Sequence, residues 1–571
     1  MDSPALDANY LHILFRDAVA AAHAQEHHIL TAGESEIVQR YMALPPDAGA
    51  LYARLHGRVG RVFRVDTISY ISVASPSTAA QSLYRWGLAR PRAQLSDLQV
   101  LAAHTVAELR DVARASGISD KGNRPALVDR LAASGVRSAL PGDCLQLRHT
   151  ALFRRLLRAY TGNHQGDLTP LILDLIGVRR AAQYEPSGGQ TLWGCRAALL
   201  AYEDALSIYG AKPSESGWAE LAPALLGALE TSSSTHPGRP PFCARTLNAR
   251  LARRAVRAVE RCAGPQAALP MYRRLLERAP EHHKALSVRM AMCLGRLGEA
   301  QAGAKLCAAA RGPHATSADD IALERTGRRL SRSSDSTWSA SAPLLSAPTR
   351  EWPLPMVQRH PPRFLAAEGE LAVEAAVASS LRQAGHEAIR GEAAPWTTLF
   401  GLLFRDAIFA PIPHMLPTTL MRGPLDLRTP DFYEPRRSLI DPVLAQIANG
   451  DAPKLLCRAL HDHAGESISG VHWNLLTPQA WRSLLHRLGP DLLVRLMSYI
   501  AENPARAWSG MPDLLVVPGA SDKELHEPLL VEVKAPGDSM RDNQRCRHHS
   551  LLKAGIPVEV WKVVDQPSCY Q

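Results

Sequence analysis

The run Met511-Pro512-Asp513-Leu514-Leu515-Val516-Val517, with Leu529-Leu530-Val531-Glu532-Val533-Lys534 behind it, constrains this chain more than any other stretch. Both segments are short, apolar and rich in β-branched residues. Pro518-Gly519 and Ser521-Asp522-Lys523 between them supply turn chemistry, so Leu514 to Val517 and Leu529 to Val533 read as adjacent strands. Alternation predicts Glu532 and Lys534 on one face of the second strand and Val531 and Val533 in the core on the other. A charged pair on one face of an otherwise buried strand is costly, and is usually retained for chemistry or a specific ion pair.

Hard divalent cations such as Mg²⁺ or Mn²⁺ take oxygen ligands. Asp513 and Glu532 suit them, and Lys534 beside them can orient or help deprotonate an attacking water. That is a metal-dependent phosphodiester-cleaving site in outline; a surface Glu-Lys pair beside an unrelated turn aspartate is the plainer alternative. The residues after Lys534 favour the site. Ala535-Pro536-Gly537-Asp538 makes a turn, Asp538 or Ser539 is expected to cap a helix running to about Lys553, Gly555 ends it, and Pro557 to Val564 reads as one more strand.

A β-β-α-β unit with acids on its strands is the core of the PD-(D/E)xK nucleases. The stretches GMPDLLVV, LLVEVKAPGD, Gln544 and KAGIPVEVWKV resemble the VRR-NUC subclass. The resemblance extends upstream: Gly391 to Phe409 (GEAAPWTTLFGLLFRDAIF), Pro424-Leu425-Asp426-Leu427, Asp431-Phe432-Tyr433, and Leu51 to Arg58 ending in Ile68-Ser69-Tyr70 are similar to the Fanconi-associated nuclease family, with motifs from near residue 10 to residue 564. On this pattern the chain is identified as a bacterial-type member of that family.

The resemblance implies that Glu392, Asp513 and Glu532 are metal ligands, that the backbone carbonyl of Val533 completes the coordination, and that Lys534 is the catalytic lysine. Without the family pattern, Glu368, Glu370 or Glu374, in an expected helical stretch, would compete with Glu392, which precedes an apolar helix expected over Thr397 to Phe409. Two departures are visible. Arg545-Cys546-Arg547-His548-His549 follows Gln544 where the family commonly has an aromatic residue, and the Asp513–Glu532 loop, with Ser521-Asp522-Lys523-Glu524, is longer than usual. The family anchors a 5′-phosphate in a basic pocket, for which Arg506, Arg541 and Arg545 are the candidates, because guanidinium groups match phosphate oxygens bidentately.

The chain has 571 residues, a length that suggests about three to five domains, and a formal net charge of +10 with pI near 9.2, which favours a polyanionic partner. Met1-Asp2-Ser3-Pro4 is not a secretory signal and no apolar run approaches membrane-spanning length, so the expectation is a soluble protein of the bacterial cytoplasm, nucleoid-associated when acting on DNA. No glycine-rich phosphate loop supports a nucleotide cofactor. The nine cysteines are scattered without a CxxC pair, so the ubiquitin-binding zinc finger of eukaryotic relatives is not expected and ubiquitin binding is not supported. The histidine doublets His27-His28, His282-His283 and His548-His549 read as surface or partly packed residues, because adjacent side chains do not share a helix face.

Residues 1–94 are expected to form an N-terminal helical DNA-binding region in which Arg54, Arg58, Arg61 and Arg64 line one helix face. Residues 95–138 resemble a SAP module: Thr105 caps Val106 to Ser116, Gly117 and Gly122 shape the loop, and Arg124 to Ala133 forms the second helix, with Lys121, Arg124 and Arg130 as phosphate contacts. Residues 139–328 are expected to be a helical TPR-like region, 329–356 a Ser/Pro-rich linker and 357–571 the VRR-NUC domain. The expected fold is therefore multidomain and mainly α-helical, ending in an α/β restriction-endonuclease-like domain. The implied function is a structure-selective DNA nuclease that uses Mg²⁺ or Mn²⁺, cuts branched or 5′-flap DNA, acts 5′-to-3′ as an exonuclease and serves crosslink repair. The alternative is a non-catalytic DNA-binding repair scaffold with a vestigial site.

Overall fold

The computed structural model describes residues 9–58, 60–136, 140–161, 166–176, 180–185, 195–232, 244–312, 317–340, 342–357, 362–366, 368–390, 392–413, 415–416, 420–519 and 525–566. The loop predicted to be unusually long, Ser521 to Glu524, lies outside them. The chain parcels into two compact units, residues 1–196 with 417–421, and residues 197–416 with 422–571.

In the first unit, helices α1 (Tyr10–Gln25), α2 (Ala32–Met42), α3 (Pro46–His56), α4 (Pro76–Arg85) and α8 (Thr150–Thr161) enclose an aromatic core in which the Tyr52 and Phe153 rings lie 5.0 Å apart. A short antiparallel sheet, β1 (Val62–Arg64), β3 (Cys144–Leu147) and β2 (Ala89–Pro91), knits residues on either side of the SAP-like segment. That segment contains α5 (Asp97–Ala102), α6 (Val106–Ala115) and α7 (Arg124–Ala133). Thr105 and Glu108 form the capping box of α6, Gly117 and Gly122 take positive φ, and Leu109, Leu127 and Leu131 are buried. The unit also holds α9 (Thr169–Leu175).

The expected arginine stripe does not form. Helix α3 stops at His56, so only Arg54 is helical, lying over the Tyr10 and Tyr70 rings, while Arg64 belongs to β1 and pairs with Asp66 and Glu108. Of the SAP-like contacts, Lys121 is exposed, whereas Arg124 donates to the Ala102 and His104 carbonyls and Arg130 to the Lys121 carbonyl.

The second unit begins with a stack of helices, α10 (Arg196–Ala211), α11 (Glu215–Ser232), α12 (Ala244–Cys262), α13 (Gly264–Arg278), α14 (His283–Arg296), α15 (Ala300–Ala310) and α16 (Ala318–Ser333). Ala268, Tyr272 and Leu275 face its core, and buried Glu260 accepts from the Tyr272 hydroxyl at 2.8 Å and from Arg289 at 3.1 Å. The segment expected to be a linker is largely structured. Trp338 donates to Glu324 at 2.7 Å, and Thr349–Leu354 is strand β4 of the main sheet. Pro353 disguised it, but β4 is an edge strand, where a missing N–H is tolerated.

That sheet runs β4–β11–β10–β9–β8, with β8 (Glu387–Arg390), β9 (Leu514–Val517), β10 (Leu529–Lys534) and β11 (Val558–Asp565). A smaller sheet of β5 (Met356–Val357), β6 (Arg363–Ala366) and β7 (Gly369–Leu371) precedes helix α17 (Val373–Gln383). Glu370 is thus on a strand, not in the expected helix. Helix α17 packs on the sheet face that carries Leu514, Val516, Val531 and Val533, while α24 (Asp542–Lys553) makes the crossover between parallel β10 and β11. The apolar helix expected over Thr397 to Phe409 is two, α18 (Ala394–Leu403) and α19 (Arg405–Ile408). Helices α20 (Arg437–Ala448), α21 (Ala452–Asp462), α22 (Pro478–Glu502, broken at Gly489-Pro490) and α23 (Ala505–Trp508) lead into β9. Arg436, fully buried, bonds Asp426 through both oxygens at 2.7 and 3.0 Å, so the Asp426 of the Pro424-Leu425-Asp426-Leu427 motif braces this region. Among the described residues no helix is long and apolar enough to cross a membrane, and the cysteines form no disulfide; Cys243 and Cys569 lie outside them.

Candidate active site

The site lies where β9 and β10 are antiparallel, Val531 opposite Leu514, so that Asp513, entering β9, meets the outgoing end of β10. Asp513 Oδ2 accepts the Val533 N–H at 2.8 Å. Glu532 and Lys534 project from the face opposite Val531 and Val533, as alternation predicts, and both are buried. Lys534 Nζ donates to Glu532 Oε1 at 2.8 Å and to Gln544 Oε1 at 3.2 Å, and Gln544 Nε2 donates to the same Glu532 Oε1. Gln544 and His548, one turn apart on α24, therefore share the helix face that covers Glu532.

The electrostatics separate the two carboxylates. Burial, then the nearby Glu532 charge, and further the Glu374 carboxylate in the first turn of α17, raise Asp513 to about 7, outweighing the Val533 N–H and Lys534. Glu532 is also opposed by burial, yet His548 and Lys534 hold it below the usual carboxylate range. Two buried acids kept close with only one readily ionised are primed for a dication that relieves their repulsion. The carboxylate oxygens, with the neighbouring main chain, are the hard donor set that Mg²⁺ or Mn²⁺ takes.

The structure thus brings Asp513, Glu532, Val533 and Lys534 together. It does not assemble Glu392 with them. Among the described residues no three acidic, histidine or cysteine side chains converge as a preformed metal cage, and Glu392 is exposed in the bend after β8. Arg390, the last residue of β8, pairs with Leu514, so β8 ends at the Asp513 end of β9.

Arg541, the N-cap residue of α24, and Arg545 within the helix are exposed. Arg506 is engaged: it donates to the Tyr499 carbonyl at 2.7 Å and Glu502 at 2.9 Å, and lies over the Tyr499 ring. The cap of α24 also differs from expectation, because Gln544 accepts from the Arg541 N–H at 3.0 Å and the helix begins at Asp542 rather than after Asp538. His548 was missed. It is 2% exposed, with Nε2 3.6 Å from Glu532 Oε2. Its i,i+4 spacing from Gln544 was the available signal, hidden by treating His548 and His549 as a doublet.

The description "VRR-NUC domain" matches residues 448–565, and "FAN1, HTH domain" matches residues 9–90. A Fanconi-associated nuclease 1 homolog of Pseudomonas aeruginosa is 26% identical over 99% of this chain and 98% of its own length. Over nearly its whole length the chain is similar to Fanconi-associated nucleases. Among such relatives the Arabidopsis thaliana Fanconi-associated nuclease 1 homolog is 26% identical over 94% of the chain, which spans only 65% of that relative, and the human Fanconi-associated nuclease 1 is 33% identical over 34% of the chain, 19% of its own length. The family fold is shared with the crystal structure of paFAN1 bound to 2-nucleotide 5′-flap DNA with a gap, at TM-score 0.80 and 23% identity, covering 99% of this chain and 100% of that one.

Proposed function

We propose that this chain is a structure-selective DNA nuclease that cuts near 5′ flaps, acts 5′-to-3′ as an exonuclease and serves interstrand crosslink repair. The observation that carries the reading is the buried Lys534, held at 2.8 Å on Glu532 beside Asp513 at the ends of two paired strands. Flap DNA bound by paFAN1 supports the substrate class.

Asp513 and Glu532 would hold Mg²⁺ or Mn²⁺, with the Val533 carbonyl and with Glu392 swinging in from the bend before α18. The ion, when bound, supplies Lewis-acid polarisation of the phosphate and a more acidic water. The chain's own residues do the rest. The Val533 N–H fixes the Asp513 rotamer, and Gln544 fixes both Glu532 and Lys534. The Lys534 ammonium orients the attacking water; a new P–O bond forms as the in-line P–O bond to the leaving oxygen breaks, and the proton the water gives up to solvent is balanced by the one the leaving oxygen takes up. Arg541 and Arg545 receive a 5′-phosphate, with Arg506 released from Glu502 to join them, and Lys121 and Arg124 contact duplex phosphates.

The test is cleavage of end-labelled 5′-flap DNA, with single-strand, duplex and RNA controls, by wild type and Asp513→Ala in Mn²⁺ and in EDTA. Metal-dependent flap incision lost in the variant is expected. Salt-sensitive binding without incision would instead make the chain a scaffold.

A further inference from the structure

Helix α16 carries a cationic face that no step of the proposed cleavage uses. Arg325, Arg328, Arg329 and Arg332 are all exposed, and their i, i+3, i+4, i+7 spacing puts them on one side of the helix, where they line an open hollow of about 670 Å³. Among the described residues Glu324 is the only acid in its wall, and that charge is already engaged. Its Oε1 accepts from Trp338 at 2.7 Å and from Arg328 at 3.0 Å, and its Oε2 accepts from Arg311 at 2.7 Å. Trp338 lies against Gly327, where any Cβ would collide with the ring. Arg329 and Arg332 have no acidic partner among the described residues. Like charges one turn apart weaken a helix by about 0.2–0.5 kcal/mol per pair, so a row of cations left uncompensated fits an external polyanion.

The face leads to the cutting site. Arg325 Nη2 donates to both Asp542 oxygens, at 2.9 and 2.7 Å, and Asp542 opens α24 between the exposed Arg541 and Gln544, the residue that bonds Glu532 and Lys534. From Arg325 to Arg332 the helix rises about 10.5 Å. Over that distance one DNA strand sets about three phosphates, at about 3.4 Å of axis per nucleotide.

We propose that this face of α16 is a duplex-DNA surface whose arginines take consecutive phosphates of one strand and lead it onto the start of α24. This rests on the reading that the substrate is DNA. Guanidinium groups pair phosphate oxygens bidentately, which suits a row of arginines to a row of phosphates.

The test is fluorescence anisotropy of a labelled 5′-flap DNA, titrated in EDTA over a range of salt with the full chain as wild type, Arg329→Ala/Arg332→Ala and Arg329→Lys/Arg332→Lys. The alanine pair is expected to reduce the slope of log affinity against log salt by about two and to weaken binding roughly ten-fold or more, while the lysine pair keeps the slope. Adding Arg541→Ala/Arg545→Ala to the alanine pair should reduce the slope by about four, because one strand runs over both helices. Unchanged slope and affinity in the alanine pair, with the wild type still incising the flap in Mn²⁺, would overturn the surface and leave the nuclease reading standing. Equal losses in the alanine and lysine pairs would also overturn it, assigning these arginines to packing. A reduced slope in the alanine pair, with no incision by wild type in Mn²⁺, would uphold the surface and overturn the nuclease reading.

Discussion

Replacing Asp513 by Asn should stabilise the metal-free protein at alkaline pH while removing its response to metal. The folded carboxyl titrates near 7 against 3.8 when unfolded, because burial and the Glu532 charge disfavour its ionised form. Between those values the native state binds the extra proton, so stability falls as pH rises, and the full penalty is present above about pH 7. Three pH units correspond to about 4 kcal/mol as a ceiling, and partial solvent access and relaxation bring this to about 2–3 kcal/mol. Asn keeps an oxygen for the Val533 N–H, so its hydrogen bond survives. Urea and thermal unfolding in EDTA should therefore show Asp513→Asn more stable than wild type at pH 8, by clearly less at pH 5, and level with it only below about pH 3.8. Adding Mn²⁺ at a hundred times its Kd should raise wild type by about 2.7 kcal/mol and leave the variant unmoved. An Asn variant no more stable at pH 8 than at pH 5, relative to wild type, would refute the electrostatic reasoning.

Lys534→Ala should slow flap cleavage by about 10²-fold or more with DNA affinity within about three-fold, separable by single-turnover kinetics. The double variant Arg541→Ala/Arg545→Ala should reduce the slope of log affinity against log salt by about two, measured by fluorescence anisotropy. Arg436→Leu strands the buried Asp426 and should cost about 3–5 kcal/mol in unfolding, largely recovered by adding Asp426→Leu. Burial opposes ionisation of Glu34, yet Arg196, the Thr31 N–H and Arg155 hold it at about 2. It therefore contributes stability above pH 4.5 that is lost as pH falls toward 2, and Glu34→Gln should trail wild type by about 1–2 kcal/mol at pH 7, the gap closing in acid.

The two strands that bring Asp513 and Glu532 together were legible because Leu514 to Val517 and Leu529 to Lys534 carry strong local signals: β-branched residues, period-two alternation and turn residues between them. The SAP-like hairpin was legible through Thr105 and its glycines. What failed depended on distant partners. Arginine spacing from 54 to 64 suggested a helix face, but Gly57 follows the last helical residue and β1 is made by pairing with Cys144 to Gln146. Strand β4, with its proline, exists only because β11 pairs with it. Burial of His548 follows from α24 lying on β10; its i,i+4 spacing from Gln544 marks a shared face but not what covers it.

The pairing of β4 has a consequence for biogenesis. Thr349 lies beside Val560, and β11 stands between β4 and β10, so the sheet under the carboxylates is bridged by the last of its own strands to be synthesised. Until then β10 has no neighbour on one side, and the strand bearing Glu532 and Lys534 is an open edge. A nascent chain should hold its two long-range parallel partners apart through most of synthesis, joining them late and slowly. On the function proposed above, a translation product interrupted before β11 would therefore lack a finished site, and the last strand made would switch the enzyme on.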